Sequence, residues 1–399
     1  MKRMVLLWGY WGPYHYARFR GARACAGEHF SVHGLELYKK SGIYDYTTLE
    51  GYNDIEHVNV GDHEMGFYPL SMLRVALPAL KRLQPDVLFV PSYWHWSLMM
   101  NLRARLGGAR IVMMNETHAG TERATGLKRA IKQQIVSRFH AALVGGSPHQ
   151  RYFASLGLEA DRIFPGYDVI DTAFFEAEAA KVRAEAAARR EALALPPDYI
   201  LSLGRMVEKK NLPRLTRAFT QLKQPADRPL HLVFVGSGDI ETELRRLARE
   251  AGLPVVDHLR AKDAPEPRPA YDPGKPAVHF YGFRQIDENP TFYALARAFV
   301  LPSLYEEWGL VVNEAMACGT PVLASETLGS AEDLVLNEQT GLKVPPEDEE
   351  ALRAALQRFA DAPDWATQLG QQAQAHIRQF GLDHFGHNAR RAAECALSR

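Results

Sequence analysis

The amino-acid sequence predicts an α/β protein built as two doubly wound halves, each a parallel sheet wrapped by helices. Short, continuously apolar runs recur along the chain, helical segments separate them, and the runs fall into two series parted by a stretch rich in Ala, Glu and Arg. A run that is apolar at every position reads as a strand buried on both faces, which is the environment of a parallel sheet covered by helices on both sides.

The first series is MVLLWG (4–9), DVLFVP (86–91), RIVMM (110–114), AALVG (141–145) and RIFPG (162–166). The second is YILSLG (199–204), HLVFVG (231–236), VHFYGF (278–283), AFVLPS (298–303) and PVLAS (321–325). Between them residues 176–198, EAEAAKVRAEAAARREALALPPD, form a strong helix that Pro196 and Pro197 end. The boundary is expected there, giving domains at 1–180 and 195–381. A chain of 399 residues, 46% hydrophobic and 24% charged, is long enough for two cores. Residues 261–276, AKDAPEPRPAYDPGKP, read as an exposed loop to which no role is given. No 20–50-residue period repeats, so a solenoid is excluded.

Lys plus Arg and Asp plus Glu are both 47, so no net field draws in nucleic acid, and a charged ligand must be met by local groups. Cys25, Cys318 and Cys395 are odd in number and lack CxxC spacing, which fits a reducing compartment; the cytoplasm is expected. The opening MKRMVLLWGYWGPYHY has too few apolar residues before Gly9 for a signal peptide. No run approaches the roughly 18 apolar residues of a spanning helix, so any membrane contact is expected to be peripheral.

Ligands of doubly wound sheets bind beyond the carboxyl ends of the strands, which directs attention to the turns. In PSLYEEWGLVVNEAMACGTPVLAS (302–325) a helix is expected from Gly309 to Cys318, closed by Gly319. Its free first amides, around Trp308, Gly309, Leu310 and Val311, together with the helix dipole make an anion site. Glu306 and Glu314 stand eight residues apart, about 12 Å at helical rise. That spacing matches the reach from a ribose through a diphosphate to a hexose. The plain alternative is that Glu306 and Glu307 complement the dipole and Glu314 faces water.

In YILSLGRMVEKKNLPRLTRAF, Gly204 allows close approach of a ligand, while Arg205 and Lys210 offer a planar fork and a point charge to phosphate oxygens; Glu208 and Lys209 read as a solvated run. In HLVFVGSGDIETEL, Gly236 and Gly238, with Asp257 21 residues after Gly236, resemble the start of GxGxxG, but Glu241 takes the third glycine's place. Gly282, Phe283 and Arg284 stand where a base could stack, although Phe283 suits a core equally well.

The first half is less specific. Tyr10, Trp11, Tyr14 and His15, with Tyr93, Trp94, His95 and Trp96, form either a stacking surface for a sugar or ring acceptor or ordinary aromatic core. Glu116 and His118 follow RIVMM at a strand end. Leu127, Ile131 and Ile135 make a helical stripe beside Lys128, Arg129, Lys132 and Arg138, fit for packing on the sheet or for lying on an anionic bilayer.

GRMVEKKN, FVGSGD, YGF and above all LPSLYEEWGLVVNEAMACGTPVLAS resemble the donor-binding half of the retaining GT-B glycosyltransferases of family 4, the group 1 glycosyltransferases. The family signature, Glu, seven residues, Glu, then Ala-Met-Ala-x-Gly-x-Pro-Val, is complete from Glu306 to Val322. The resemblance implies two Rossmann-like domains facing across a cleft, with a C-terminal helix near 382–399 returning to the first. It implies transfer, with retention, from a nucleoside diphosphate sugar, uridine being the expected base, to a carbohydrate, lipid-linked or small-molecule acceptor. By the same resemblance Glu314 holds the ribose, Glu306 the transferred sugar, and Arg205 and Lys210 the diphosphate. The amides of Gly309, Leu310 and Val311 meet a phosphate or sugar oxygen, Phe283 and Arg284 flank the base, and the loops of Gly204 and Gly236 line the pocket. In the first half the turn at Gly12 approaches the diphosphate, and His118 touches sugar or acceptor, with Glu116 as its alternative because the usual His-Asp pattern is absent. Asn211 stands where glycine is frequent and Trp308 where phenylalanine is usual. The paired cations would take the leaving group's charge, so no metal, cofactor or protein nucleophile is expected. Rival readings are a nucleotide-sugar epimerase or hydrolase, an NAD-dependent oxidoreductase resting on Gly236, Gly238 and Asp257, and a sugar-binding module.

Overall fold

In a computed structural model describing residues 1–38, 54–60, 68–93, 95–224, 228–259 and 269–399, the apolar runs are strands of two seven-stranded sheets. The first comprises β1 (Lys2–Trp8), β2 (Phe30–Glu36), β3 (Ile55–His57), β4 (Val87–Pro91), β5 (Arg110–Asn115), β6 (Ala141–Val144) and β7 (Ile163–Phe164). Its order is β3-β2-β1-β4-β5-β6-β7, every pair parallel. The second comprises β8 (Tyr199–Leu203), β9 (His231–Val235), β10 (Val255–Asp257), β11 (Val278–Phe280), β12 (Ala298–Leu301), β13 (Val322–Ser325) and β14 (Gly341–Val344). Its order is β10-β11-β9-β8-β12-β13-β14, again all parallel.

Successive strand residues face opposite ways, and β1 shows why the runs are continuous: Val5 and Leu7 enter one core while Met4, Leu6 and Trp8 enter another on the opposite face. Four strands lie outside the apolar runs. β2, FSVHGLE, alternates buried and partly buried positions over its first half, and β3, β10 and β14 are sheet margins of three or four residues.

Strand order reverses between β1 and β4 in the first sheet and between β8 and β12 in the second. Such switch points open a crevice at the strand ends. In the second sheet the crevice falls between the turn after β8, which carries Gly204, Arg205 and Lys210, and the segment after β12, which carries Glu306.

The chain divides into two units, Met1–Asp171 with Phe380–Arg399, and Thr172–Gln379. The stretch 176–198 lies in the second, as parts of the helices Thr172–Ala184 and Ala186–Leu193, and Arg190 donates to the carbonyls of Pro196 (2.6 Å) and Leu295 (3.1 Å). The helix Leu382–Leu397 belongs to the first unit and crosses Pro13–Cys25 so closely that a Cβ on Gly21 would stand 2.5 Å from the Leu382 carbonyl oxygen. Among the described residues no helix is long and apolar enough to cross a membrane.

Candidate active site

The second unit's site is built by two turns. After β8 the chain runs through Gly204 and Arg205 into the 3₁₀ turn Glu208–Lys210, whose last amides fold back on Val207 and Glu208. Asn211 follows in the left-handed region at φ 55, the conformation that makes glycine frequent there. Asparagine tolerates it, and its side-chain amide also donates to the carbonyls of Pro302 (3.1 Å) and Pro346 (2.8 Å), tying this turn to the segments after β12 and β14.

That tie brings the charges together. Lys210 Nζ lies 2.8 Å from Glu306 Oε1, and Gly204, Arg205 and Lys210 line one crevice with Phe234 and Leu301. Glu306 is only 6% exposed. Burial alone would raise its pKa, but Lys210, then Lys209, and hydrogen bonds from Lys210 and Ser303 hold it below the usual carboxylate range. Lys209 is thus no solvated residue. Its Nζ lies 3.2 Å from Glu306 and 3.0 Å from Glu307, and these partners raise its own pKa against the opposing effect of burial.

Beyond Glu306, Gly309 adopts φ 97 as the residue preceding the helix Leu310–Ala317, a turn that a side chain would strain. The backbone is pinned there: Ser330 donates to the Trp308 carbonyl through its N–H (3.3 Å) and its hydroxyl (2.8 Å). Trp308 is buried, and its indole N–H donates to Asn313 Oδ1 at 2.9 Å, so the larger ring is anchored by a polar partner that phenylalanine would not use. The amides of Leu310 and Val311 precede the helix's own hydrogen-bond ladder and point out from its positive end. Glu314 does not face water. It is fully buried, and its charge helps to raise the pKa of Cys318, after burial itself.

The glycines at 236 and 238 have a packing reason. A Cβ on Gly236 would meet the Gly204 carbonyl oxygen at 2.0 Å, and one on Gly238 the Met206 carbonyl oxygen at 2.3 Å, while the Gly236 N–H donates to Gly282 O at 2.7 Å. Asp257 is paired with Arg245 at 2.5 Å. Tight loop packing therefore accounts for the partial GxG, and the oxidoreductase reading loses its support. Phe283 is 45% exposed, whereas Arg284 is buried, donating to the Tyr281 carbonyl (3.2 Å) and pairing with Glu288 (3.4 Å), so its guanidinium is committed to holding the turn.

In the first unit Gly12 caps the helix Pro13–Cys25 and donates its N–H to His15 Nδ1 at 3.0 Å. His15 is the neutral acceptor: burial, then Arg18, lower its pKa to about 3. Trp11 is core, not a stacking surface; its indole N–H donates to Leu35 O at 3.2 Å and its backbone N–H to Glu36 Oε1 at 2.7 Å. Tyr10 and Tyr14 are half-buried, and Trp94 lies outside the described residues. His118 is buried and accepts the Gly120 N–H through Nδ1 (3.2 Å), with its ring 5.2 Å from that of His149. It lines a cavity of about 570 Å³ together with Glu122, Arg129, Arg151 and Tyr152. Glu116 hydrogen-bonds Asp168, a buried carboxyl that pairs with Arg18 at 3.1 Å. Burial and then Glu116 push Asp168 well above the carboxylate range.

The helix Gly126–Val136 does not turn Leu127 and Ile131 to the sheet: they are 77% and 44% exposed. Lys132 and Val136 are buried instead. Lys132 reaches Glu122 at 2.9 Å and sits 5.3 and 5.0 Å from the Tyr93 and Tyr152 rings, a partner set that no stripe of apolar spacing signals.

Comparison with known proteins places this arrangement. The family model described as glycosyl transferases group 1 matches residues 197–362, which hold all the second-unit residues of the site. A D-inositol 3-phosphate glycosyltransferase of Catenulispora acidiphila is 30% identical over 251 residues, 60% of this chain and 49% of that protein. An O-antigen chain mannosyltransferase of Escherichia coli is 26% identical over 47% of this chain and 43% of its own. The chain spans about half the length of the curated relatives it matches. Among solved structures, sucrose-phosphate synthase of Thermosynechococcus elongatus superposes with a TM-score of 0.71 at 20% identity, covering 97% of this chain and 96% of that one. Anabaena HepE in complex with UDP-glucose gives 0.68 at 16% identity, covering 98% of both. These likenesses and the two sheet orders define a GT-B protein. The second unit, with its complete acid-and-helix signature, is similar to the group 1 glycosyltransferases over residues 197–362.

Proposed function

We propose that the protein is a glycosyltransferase that moves a hexose-like sugar, with retention, from a nucleoside diphosphate sugar to a carbohydrate, lipid-linked or small-molecule acceptor. The carrying observation is the Lys210 to Glu306 ion pair of 2.8 Å at the second sheet's switch point, with Arg205 lining the same crevice. HepE, whose fold this chain shares, was crystallised with UDP and with UDP-glucose, which makes a uridine diphosphate sugar the first donor to test.

As the bond to the sugar breaks, negative charge grows on the diphosphate and positive charge on the sugar ring. In our reading Arg205, Lys210 and the amides of Leu310 and Val311 receive the first charge, and Lys210 exchanges Glu306 for phosphate oxygens as donor enters. Glu306 holds hydroxyls of the transferred sugar and Glu314 those of the ribose. The departing phosphate takes the acceptor's proton on the same face, so no protein nucleophile and no metal is invoked. His118 and the cavity beside it are our candidates for acceptor contacts in the first unit.

Thermal-shift measurements with UDP, GDP, ADP and their sugars test the donor; a nucleotide at 100 times its dissociation constant adds about 2.7 kcal/mol of stability. Lys210→Ala should lower transfer by about 10²–10³-fold, the usual effect of losing one charge-stabilising donor. Glu314→Ala should weaken nucleotide binding with the fold intact. Normal turnover in both variants would reject the proposal.

A further inference from the structure

Lys210 has two demands on it in the proposed reaction. It neutralises Glu306 in the resting protein, and it is the cation that meets the donor's diphosphate. When it turns to the phosphates, a buried carboxylate left without a counterion would take up a proton or destabilise the site by several kcal/mol.

A second ammonium stands on the other side of the same acid. Lys209 Nζ approaches Glu306 Oε2 at 3.2 Å, while Lys210 holds Oε1 at 2.8 Å. Lys209 also pairs with Glu307 at 3.0 Å and lies 5.4 Å from the Tyr305 ring centroid, within cation–π range. Its backbone carbonyl accepts the Leu304 N–H at 2.8 Å, which fastens the lysine turn to the segment bearing Glu306. Lys209 is absent from the lining of the crevice that holds Gly204, Arg205 and Lys210. The two neighbouring lysines therefore differ in place: one faces the crevice, the other is braced behind the acid.

We infer that Lys209 is a positioning residue, which keeps Glu306 ionised and aimed at the sugar while Lys210 moves to the diphosphate. The inference rests on the reading of Lys210 and Glu306 as donor-binding groups. Glu306 is faced by Lys209 and Lys210 from the turn after β8 and by Ser303 from its own segment, while Glu307 pairs with Lys209. Of the two cations, only Lys209 is left beside the acid once donor is bound. Its loss therefore shifts the protonation of Glu306 more in the donor complex than in the free protein.

The test compares wild type, Lys209→Met, Lys209→Gln and Lys209→Arg in binding of UDP, GDP and ADP, and in the pH dependence of acceptor-free cleavage of UDP-, GDP- and ADP-glucose. Lys209→Met should bind the nucleoside diphosphate within about twofold of wild type, because the phosphates meet Lys210 and not Lys209. The acid limb of its kcat profile should move up by about one pH unit, the equivalent of one lost stabilising charge, so that its cleavage rate falls about tenfold on that limb and stays near the wild-type value at neutrality. Lys209→Gln, which keeps the stem and a polar head, should show the same shifted limb if Lys209→Met folds poorly, and Lys209→Arg should restore the wild-type limb. An unshifted limb in both neutral variants overturns the inference, as does a loss of nucleotide affinity as large as that of Lys210→Met. Wild-type protein that binds none of UDP, GDP and ADP overturns the donor reading and the inference with it.

Discussion

The two sheets share one strand order, yet their switch points are finished in opposite ways. In the second unit the turns after β8 and β12 set two partly exposed lysines against Glu306, and an exposed Arg205 lines the same crevice as Lys210. In the first unit the pair that joins the helix after β1 to the segment after β7 is sealed: Arg18 and Asp168 are both buried, Arg18 lies 4.4 Å from the Tyr167 ring centroid, and the Tyr167 hydroxyl accepts the Trp8 indole N–H at 3.0 Å. An open cluster can exchange a protein partner for a ligand, whereas a sealed one can only hold shape. One topology therefore carries both an open and a sealed cluster, and the side chains alone decide which.

The largest effect that would sharpen this contrast is the loss of Arg18. Arg18→Met removes one partner of a buried ion pair and leaves Asp168 and Glu116 with an uncompensated charge, which typically destabilises by about 3–5 kcal/mol. Urea denaturation followed by a first-unit tryptophan signal should register that loss, while nucleoside diphosphate binding by the folded protein stays at its wild-type value. A stability change under about 1 kcal/mol, near the ceiling for exposed pairs, would break the contrast by showing that the sealed cluster matters no more than a surface pair.

Gly236→Ala probes the other side. A Cβ there would stand 2.0 Å from the Gly204 carbonyl oxygen, at a φ of 125 that side chains rarely adopt, so the turn bearing Arg205 must shift. Overpacking of this kind costs about 1–3 kcal/mol of stability. The sharper consequence is on binding: nucleotide affinity measured by calorimetry should fall together with stability, unlike in Arg18→Met. Unchanged affinity would mean that the turn after β8 does not carry the phosphates.

What could be read in the sequence follows from how local each signal is. Strands buried on both faces announce themselves as apolar runs, so the central strands of both sheets were legible, while β3, β10 and β14 are too short and β2 too mixed to stand out. Glu306, Gly309 and Glu314 were legible as one continuous pattern on a strand, turn and helix. Lys209, Lys132 and Arg18 were not, because the partners that bury them lie 97, 10 and 150 positions away, and a charge with no visible partner reads as solvated. Trp11 misled for the same reason: only the folded sheet brings the Leu35 carbonyl to its indole.

The smallest effect concerns a third kind of polar cluster, within the second sheet and away from the charged turns. His231 Nδ1 lies 3.0 Å from His279 Nε2, and His279 Nδ1 lies 3.0 Å from His258 Nε2, with all three rings buried. His231 Nε2 faces the Pro273 carbonyl at 3.4 Å and so carries its proton there, which sets the chain: His258 donates to His279, His279 to His231, and His231 to Pro273. Each imidazole is neutral in this arrangement, and a proton added to His279 would set two N–H groups against each other unless a neighbour changed tautomer. Tyr271 packs edge-on against His231 and His279, Tyr281 stacks on His258 at 4.0 Å, and Asp198 is the charge that most favours protonation of His231. Burial, followed by His231 and His258, lowers the His279 pKa to about 2. A histidine depressed in this way binds fewer protons folded than unfolded, so its contribution is intact above its unfolded pKa of about 6.5 and stability declines as pH falls below it. Between pH 6.5 and 5.5 the loss should be about 1 kcal/mol for His279 alone, seen as a falling urea midpoint of the second unit. His279→Gln should flatten that decline while leaving nucleoside diphosphate binding at pH 7 unchanged, since the chain of imidazoles and the turns after β8 and β12 use different residues. A midpoint that is level over this range in the wild type would show that the three rings already accept a proton in the folded protein.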